Sequence, residues 1–184
     1  MSIRNHLQLS LGILFLVSLG FSEISTVYCQ VTTDKKLTSR EIAQRTLPST
    51  VSLAMGNAGS AEIKTGSGFF VAEDIVATNF HVIEGTSRGF AKIYGQTAVY
   101  EVLGFVAIDR KNDLVLLRIK GVRAKPLPLN NDNSAAVGDD VYAIGNPEGL
   151  EGTFSQGIVS SIRKSLNIDL LQISAPISHG SSGG

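Results

Sequence analysis

The chain has one cysteine, Cys29, in 184 residues. A lone cysteine closes no intrachain disulfide, so the fold must be held by its apolar core. Charge of either sign is also in short supply. Sixteen Lys and Arg stand against 16 Asp and Glu, and each count falls to 15 once residues 1–29 are set aside. No field remains to favour nucleic acid or an acidic membrane surface as a partner. Cysteine and histidine never fall at metal-ligand spacing, no segment repeats, and no strand–helix–strand alternation is visible. Neither a metal nor a cofactor is expected, and a parallel α/β sheet is excluded. Long hydrophobic runs are equally scarce. The one candidate, Leu7 to Phe21, carries ten large apolar residues in fifteen positions behind Arg4. That is the length of a signal-peptide core and is short for a membrane span. Residues 1–29 therefore read as a signal peptide, with cleavage near Ser22 or Cys29. An uncleaved signal anchor is the alternative, because no Ala-x-Ala site follows. Either way the protein is expected to be exported, to the periplasm or the exterior.

What is present is a series of short strands. After a polar linker at 30–37, Thr38-Ser-Arg-Glu41 has capping-box spacing and predicts a short helix to about Thr46, stopped by Pro48. Val51 to Met55, Gly68 to Ala72, Ile75 to Thr78, and the pair Ala91–Tyr94 and Thr97–Val102 about Gly95-Gln96 then read as antiparallel hairpins. Leu114-Val-Leu-Leu-Arg-Ile119 reads as a buried strand. The class is all-β. Pro126, Pro128 and the polar run Asn130–Ser134 mark a crossover at about 126–138.

The chemistry is concentrated in three places. Gly180-Ser181-Ser182-Gly183-Gly184 sets a serine in a glycine-flanked turn, where its Oγ is presented and nearby backbone N–H groups converge. Such a stretch is also what a flexible tail looks like. Serine is a poor nucleophile unaided, so a histidine base and an orienting carboxylate are required. Of the three histidines, His6 lies in the targeting region and His179 three positions before Ser182. His81 is left, delivered at the end of an apolar stretch, Val76-Ala-Thr-Asn-Phe-His81. Asp113 stands directly before the strand at Leu114, with Asp109 the competing carboxylate, set further back in a charged loop.

The order His81, Asp113, Ser182 is that of chymotrypsin rather than of subtilisin or the α/β-hydrolases. With it come Thr65-Gly-Ser-Gly-Phe69, Ala77-Thr-Asn-Phe-His81-Val-Ile83, Asn112-Asp113-Leu-Val-Leu-Leu117, Gly145-Asn-Pro-Glu-Gly149 and Gly157-Ile-Val-Ser160. Over about Leu37 to Gly184 the chain resembles the HtrA/DegP-type branch of the trypsin-like serine proteases. The resemblance implies a chymotrypsin-like double β-barrel over 38–184, with His81, Asp113 and Ser182 as triad in the cleft between barrels. It also implies an oxyanion hole from the N–H groups of Gly180 and Ser182, polypeptide substrates, extracytoplasmic protein quality control and homo-oligomerisation as a trimer. The position six before the nucleophile, an aspartate in trypsin, is Pro176 here, followed by Ile177, so the substrate pocket is expected to be apolar.

Two departures bear on the transfer. The family pattern Thr-Asp-Ala-x-Ile-Asn-Pro-Gly-Asn-Ser-Gly-Gly is replaced by Ile173-Ser-Ala-Pro-Ile-Ser-His-Gly-Ser-Ser182-Gly-Gly, which leaves a catalytically inactive binding or chaperone-like module as the rival reading. The family's later second-barrel strands would follow Gly184. The chain is accordingly expected to be the N-terminal part of a longer protease, with a truncated second barrel and no turnover of its own.

Overall fold

The computed structural model describes residues 36–131, 134–146, 151–164 and 169–184. The expected targeting segment with Cys29, most of the linker and the Pro147-Glu148-Gly149 part of one motif lie outside them. At the N-terminal end of the described chain the capping box forms as the sequence predicts. The Thr38 hydroxyl accepts from the Glu41 N–H at 3.3 Å, and the Glu41 carboxylate accepts from the Thr38 N–H at 2.8 Å, so two otherwise orphaned donors are satisfied. The helix α1, Ser39–Thr46, ends in a 3₁₀ turn around Pro48. Its first residue faces the second sheet, where the Ser39 hydroxyl donates to Gln156 Oε1 at 3.0 Å.

Six strands then close on themselves: β1 Thr50–Gly56, β2 Ile63–Ala72, β3 Ile75–Asn79, β4 Arg88–Ile93, β5 Val99–Asp109 and β6 Leu114–Ile119. They run in the order β1-β2-β3-β6-β5-β4, with β4 returning to β1 through Val51 opposite Ile93 and Leu53 opposite Ala91. Closure leaves no unpaired edge in this unit. It also fixes which residues point inward, because successive side chains on a strand alternate faces. Val51, Leu53 and Met55 of β1, Ala91 and Ile93 of β4, and Val115, Leu117 and Ile119 of β6 are buried at every second position, around Phe70 and Val76. Between β3 and β4 the chain makes one helical turn, α2, Phe80–Ile83, which buries Phe80 and Val82 and leaves His81 exposed.

Two expectations need correction here. The strand β6 is not buried throughout: Leu114 and Arg118 are exposed on its outer face, since a barrel strand has only one inward face. And β5 runs well past Val102 to Asp109. Register shifts at Val102/Gly104 and Phe105/Ala107 break its alternation, so the period-two pattern that reveals a strand is lost there.

A long connection crosses to the second unit, held to the barrel by the Leu127 N–H donating to the Phe70 carbonyl at 2.9 Å and the Ser49 hydroxyl to the Lys125 carbonyl at 2.7 Å. There β7 Asp140–Gly145, β8 Thr153–Lys164 and β9 Asp169–Ile173 form an antiparallel sheet in that order. The segment after β9 folds back over β8, with the Ser174 N–H bonded to the Ile158 carbonyl and the Ser174 hydroxyl accepting from the Ile158 N–H, both at 3.0 Å.

Phe70 is fully buried at the centre of the barrel, so Phe70→Ala is expected to lower the unfolding free energy by about 3–5 kcal/mol, as lost transfer energy plus a cavity. Denaturant titration checks this, and a loss below about 1 kcal/mol would contradict the packing described.

Candidate active site

Asp113 begins the site because its backbone is unusual. Among the described residues it is the one non-glycine with positive φ, 53°, in the hairpin between β5 and β6. Aspartate tolerates that left-handed region better than most side chains. The turn carries its carbonyl to the Phe80 N–H at 3.0 Å and to the Asn79 amide at 2.9 Å, so the ends of β3 and β6 are pinned side by side. Its carboxylate then grips the next residue at two points. Oδ1 accepts from the His81 N–H at 2.8 Å and Oδ2 lies 2.7 Å from His81 Nδ1. Partial burial pushes the Asp113 pKa up, but the hydrogen bonds from the His81 ring and backbone outweigh it and hold the carboxyl below its ordinary value of 3.8. The group is therefore an anion at neutral pH, fixing the imidazole with Nε2 turned away from it. Beside the pair, the Arg110 guanidinium lies 4.3 Å from the centroid of the Phe80 ring.

The competing carboxylate is occupied elsewhere. Asp109 accepts from the Asn112 amide at 2.5 Å and the Asn112 N–H at 3.1 Å, which hold its pKa down and turn it into its own hairpin. His179 is exposed and makes no hydrogen bond among the described residues.

Ser182 comes from the other sheet. It is half-buried, in a turn closed by the Ser181 N–H to the Ser178 carbonyl and the Gly184 N–H to the Ser181 carbonyl, both 3.0 Å. Its carbonyl accepts from the Ser67 N–H on β2 at 2.7 Å. The N–H groups of Gly180 and Ser182 have no hydrogen-bond partner among the described residues, and neither has the Ser182 hydroxyl. Next to it opens a cavity of about 530 Å³, lined by Asn79 of β3, Ala143 and Ile144 of β7, and Pro176, Ile177 and Ser182 of the returning chain. Among the described residues, no side chain on its lining is charged. Thus His81 and Asp113 are in direct contact, Pro176 and Ile177 share one cavity with Ser182, and the link from Ser182 to the first barrel runs through its backbone. No group of three or more His, Cys, Asp or Glu among the described residues is arranged to hold a metal.

Comparison with known proteins agrees with this architecture. The model for the trypsin-like peptidase domain matches residues 66–184. The chain belongs to the trypsin-like peptidase family. Within that family it is HtrA-like. It is 38% identical to a probable periplasmic serine endoprotease, DegP-like, of Rickettsia prowazekii, over 66% of this chain and 25% of that protein. It is 35% identical to the chloroplastic Protease Do-like 1 of Arabidopsis thaliana, over 65% of this chain and 29% of the relative. A serine endoprotease from Yersinia pestis superposes with a TM-score of 0.67 at 30% identity, covering 81% of this chain and 53% of that one. A structure of an HtrA-type protease with a tripeptide gives 0.71 at 27%, covering 80% and 50%. The six-stranded barrel and three-stranded sheet are thus the first barrel and part of the second in a chymotrypsin-like double barrel. The chain spans about a quarter of the length of the curated relatives it matches.

Four residues of this trypsin-like site carried no role in the sequence reading: Ser67, Thr78, Asn146 and Gly183. The first three act through hydrogen bonds to distant backbone, which no local spacing discloses. Gly183 was visible only as a flanking glycine. Its φ of 87° and a would-be Cβ 2.1 Å from Thr78 Oγ1 show that no side chain fits there.

The Asp113 carboxyl should titrate below 3.8 and, in His81→Ala, move upward, because the ring bond that lowers it is gone while burial and the backbone bonds remain. Its interaction with His81 is then present at neutral pH and lost as pH falls through that depressed midpoint. Carboxyl ¹³C titration reads this, and an unchanged midpoint in the variant would disprove the coupling.

Proposed function

We propose that the protein is a serine endopeptidase whose nucleophile is Ser182, base His81 and orienting carboxylate Asp113. The observation that carries this reading is the two-point grip of Asp113 on His81, which fixes an imidazole in one tautomer, together with a pinned serine turn in which two N–H groups have no partner among the described residues. Ser182 Oγ attacks the scissile carbonyl and passes its proton to His81 Nε2. The imidazolium is stabilised by the Asp113 anion, and it returns the proton to the leaving amine. Negative charge on the carbonyl oxygen is received by the N–H groups of Gly180 and Ser182, at about 2.7–4 kcal/mol of transition-state stabilisation per donor. Serine–imidazole contacts of unliganded hydrolases are often long and tighten when substrate binds, which accommodates the absence of a Ser182–His81 bond among the described residues.

The substrates are polypeptides, taken with a small or medium aliphatic residue at P1 in the uncharged cavity by Pro176 and Ile177. Relatives named periplasmic serine endoproteases support an extracytoplasmic place and a part in protein quality control there, delivered by residues 1–29. Family resemblance supports assembly as a homotrimer.

A fluorophosphonate probe should label the full-length protein at Ser182 and lose the label in Ser182→Ala. Ser182→Ala and His81→Ala should each lower kcat by several orders of magnitude and combine without further loss, because they act as a unit. Asp113→Asn should cost about 10⁴-fold by favouring the wrong tautomer. A peptide-library profile led by Arg or Lys at P1 would refute the pocket assignment, and a crippling Asp109→Asn beside a mild Asp113→Asn would refute the carboxylate.

A further inference from the structure

Ser67 is 1% exposed, at the middle of β2, and every polar atom it has is used. Its N–H donates to the Ser182 carbonyl at 2.7 Å and its hydroxyl to the Gly180 carbonyl at 2.7 Å. The hydroxyl oxygen accepts from the Asn146 N–H at 2.8 Å, and the Ser67 carbonyl accepts from the Thr78 hydroxyl at 2.6 Å. These four bonds reach three separate parts of the chain. Thr78 is on β3, three residues before His81. Asn146 directly follows β7, and its amide also donates to the Val51 carbonyl of β1 at 2.9 Å. Gly180 and Ser182 are the two proposed oxyanion donors, and their N–H groups have no partner among the described residues. Close approach is enforced by the neighbouring glycine: a Cβ on Gly66 would sit 2.7 Å from Val82 in the turn that carries His81 and 3.3 Å from the Ser182 carbonyl.

We propose that Ser67 is a positioning residue for peptide-bond hydrolysis, its hydroxyl setting the orientation of the Gly180–Ser182 backbone relative to the His81–Asp113 pair; this rests on the serine endopeptidase reading above. The physical reason is that two of the bonds hold carbonyls. Capture of the Gly180 and Ser182 carbonyls fixes the 180–181 and 182–183 peptide planes, and these flank the 181–182 peptide that carries the Ser182 N–H, so the turn around that donor is clamped on both sides. The partners of Ser67 on β3 and at the end of β7 make that orientation common to both sheets. Ser67 touches no reacting atom. It acts through Gly180 and Ser182.

The test is kinetic, on the full-length protein with an apolar peptide substrate, with kcat expressed per Ser182 titrated to completion by a fluorophosphonate. Ser67→Ala should lower kcat about 10- to 100-fold, the scale of a misplacement within an ångström. It should leave KM within about twofold, since ground-state binding does not use the oxyanion donors. A peptide boronate, which forms the tetrahedral adduct, should weaken by the same factor as kcat. Binding of the unreacted peptide in a Ser182→Ala background should not change. Ser67→Cys, which keeps a weak donor and acceptor on sulfur, should recover part of the loss, and it carries the test if Ser67→Ala does not fold. Unchanged kcat per titrated site, with only fewer titratable sites, would mean that Ser67 merely stabilises the fold and would overturn the proposal. A wild-type protein that is not labelled at all would instead sink the endopeptidase reading, and this inference with it.

Discussion

The groups proposed to act together in this molecule are carried by different parts of the fold, and no short covalent path joins them. His81 and Asp113 come from the closed barrel, whereas Ser182 follows the last strand of an open three-stranded sheet. Their relative placement is therefore set by non-covalent contacts across the seam, and these converge on the centre of β2. A hydrogen bond is worth little net on folding, about 0.5–1.5 kcal/mol, but a buried polar group left without one costs more. The seam contacts are buried and mutually satisfied, and no buried side-chain polar atom among the described residues lacks a partner. Any displacement of one sheet against the other would orphan several at once.

Within the barrel the same logic is met by apolar packing. Closure makes six strands share one interior, so the residues that end strands are aimed as consistently as those inside them. The His81 turn follows β3 and the Asp113 hairpin precedes β6, which are neighbours in register from Ile75–Arg118 to Asn79–Leu114. A histidine and an aspartate 32 residues apart thus meet at the end of one strand pair. No disulfide is needed for this, which fits a chain with a single cysteine.

Much of this was legible in the sequence wherever a local pattern had a single physical meaning. The capping box at Thr38 and Glu41, the alternating strands β1 and β3 and the antiparallel class all follow from periodicity and turn chemistry, and the triad candidates from residue type and order. Legibility failed where structure depends on partners far along the chain. The far half of β5 has bulges that scramble its alternation, and the exposed outer face of β6 depends on barrel closure. Ser67 resembles any small residue in a glycine-rich strand until β3, β7 and the Ser182 turn are folded around it. The same holds for Ser174, which replaces an aspartate of the family pattern and turns out to complete the pairing of its segment with β8.

The left-handed backbone at Asp113 has a consequence for how this position can change over time. Residues that occupy that region at low cost are few, chiefly glycine, asparagine and aspartate, so the hairpin narrows the permitted alphabet before any chemistry is required. Of these three only aspartate brings a negative charge to His81. Aspartate codons reach those of both asparagine and glycine by a single base substitution. The site thus lies one mutational step from two neighbours that suit the hairpin's backbone and lack the anion, so loss of the charge here need not be accompanied by loss of the hairpin.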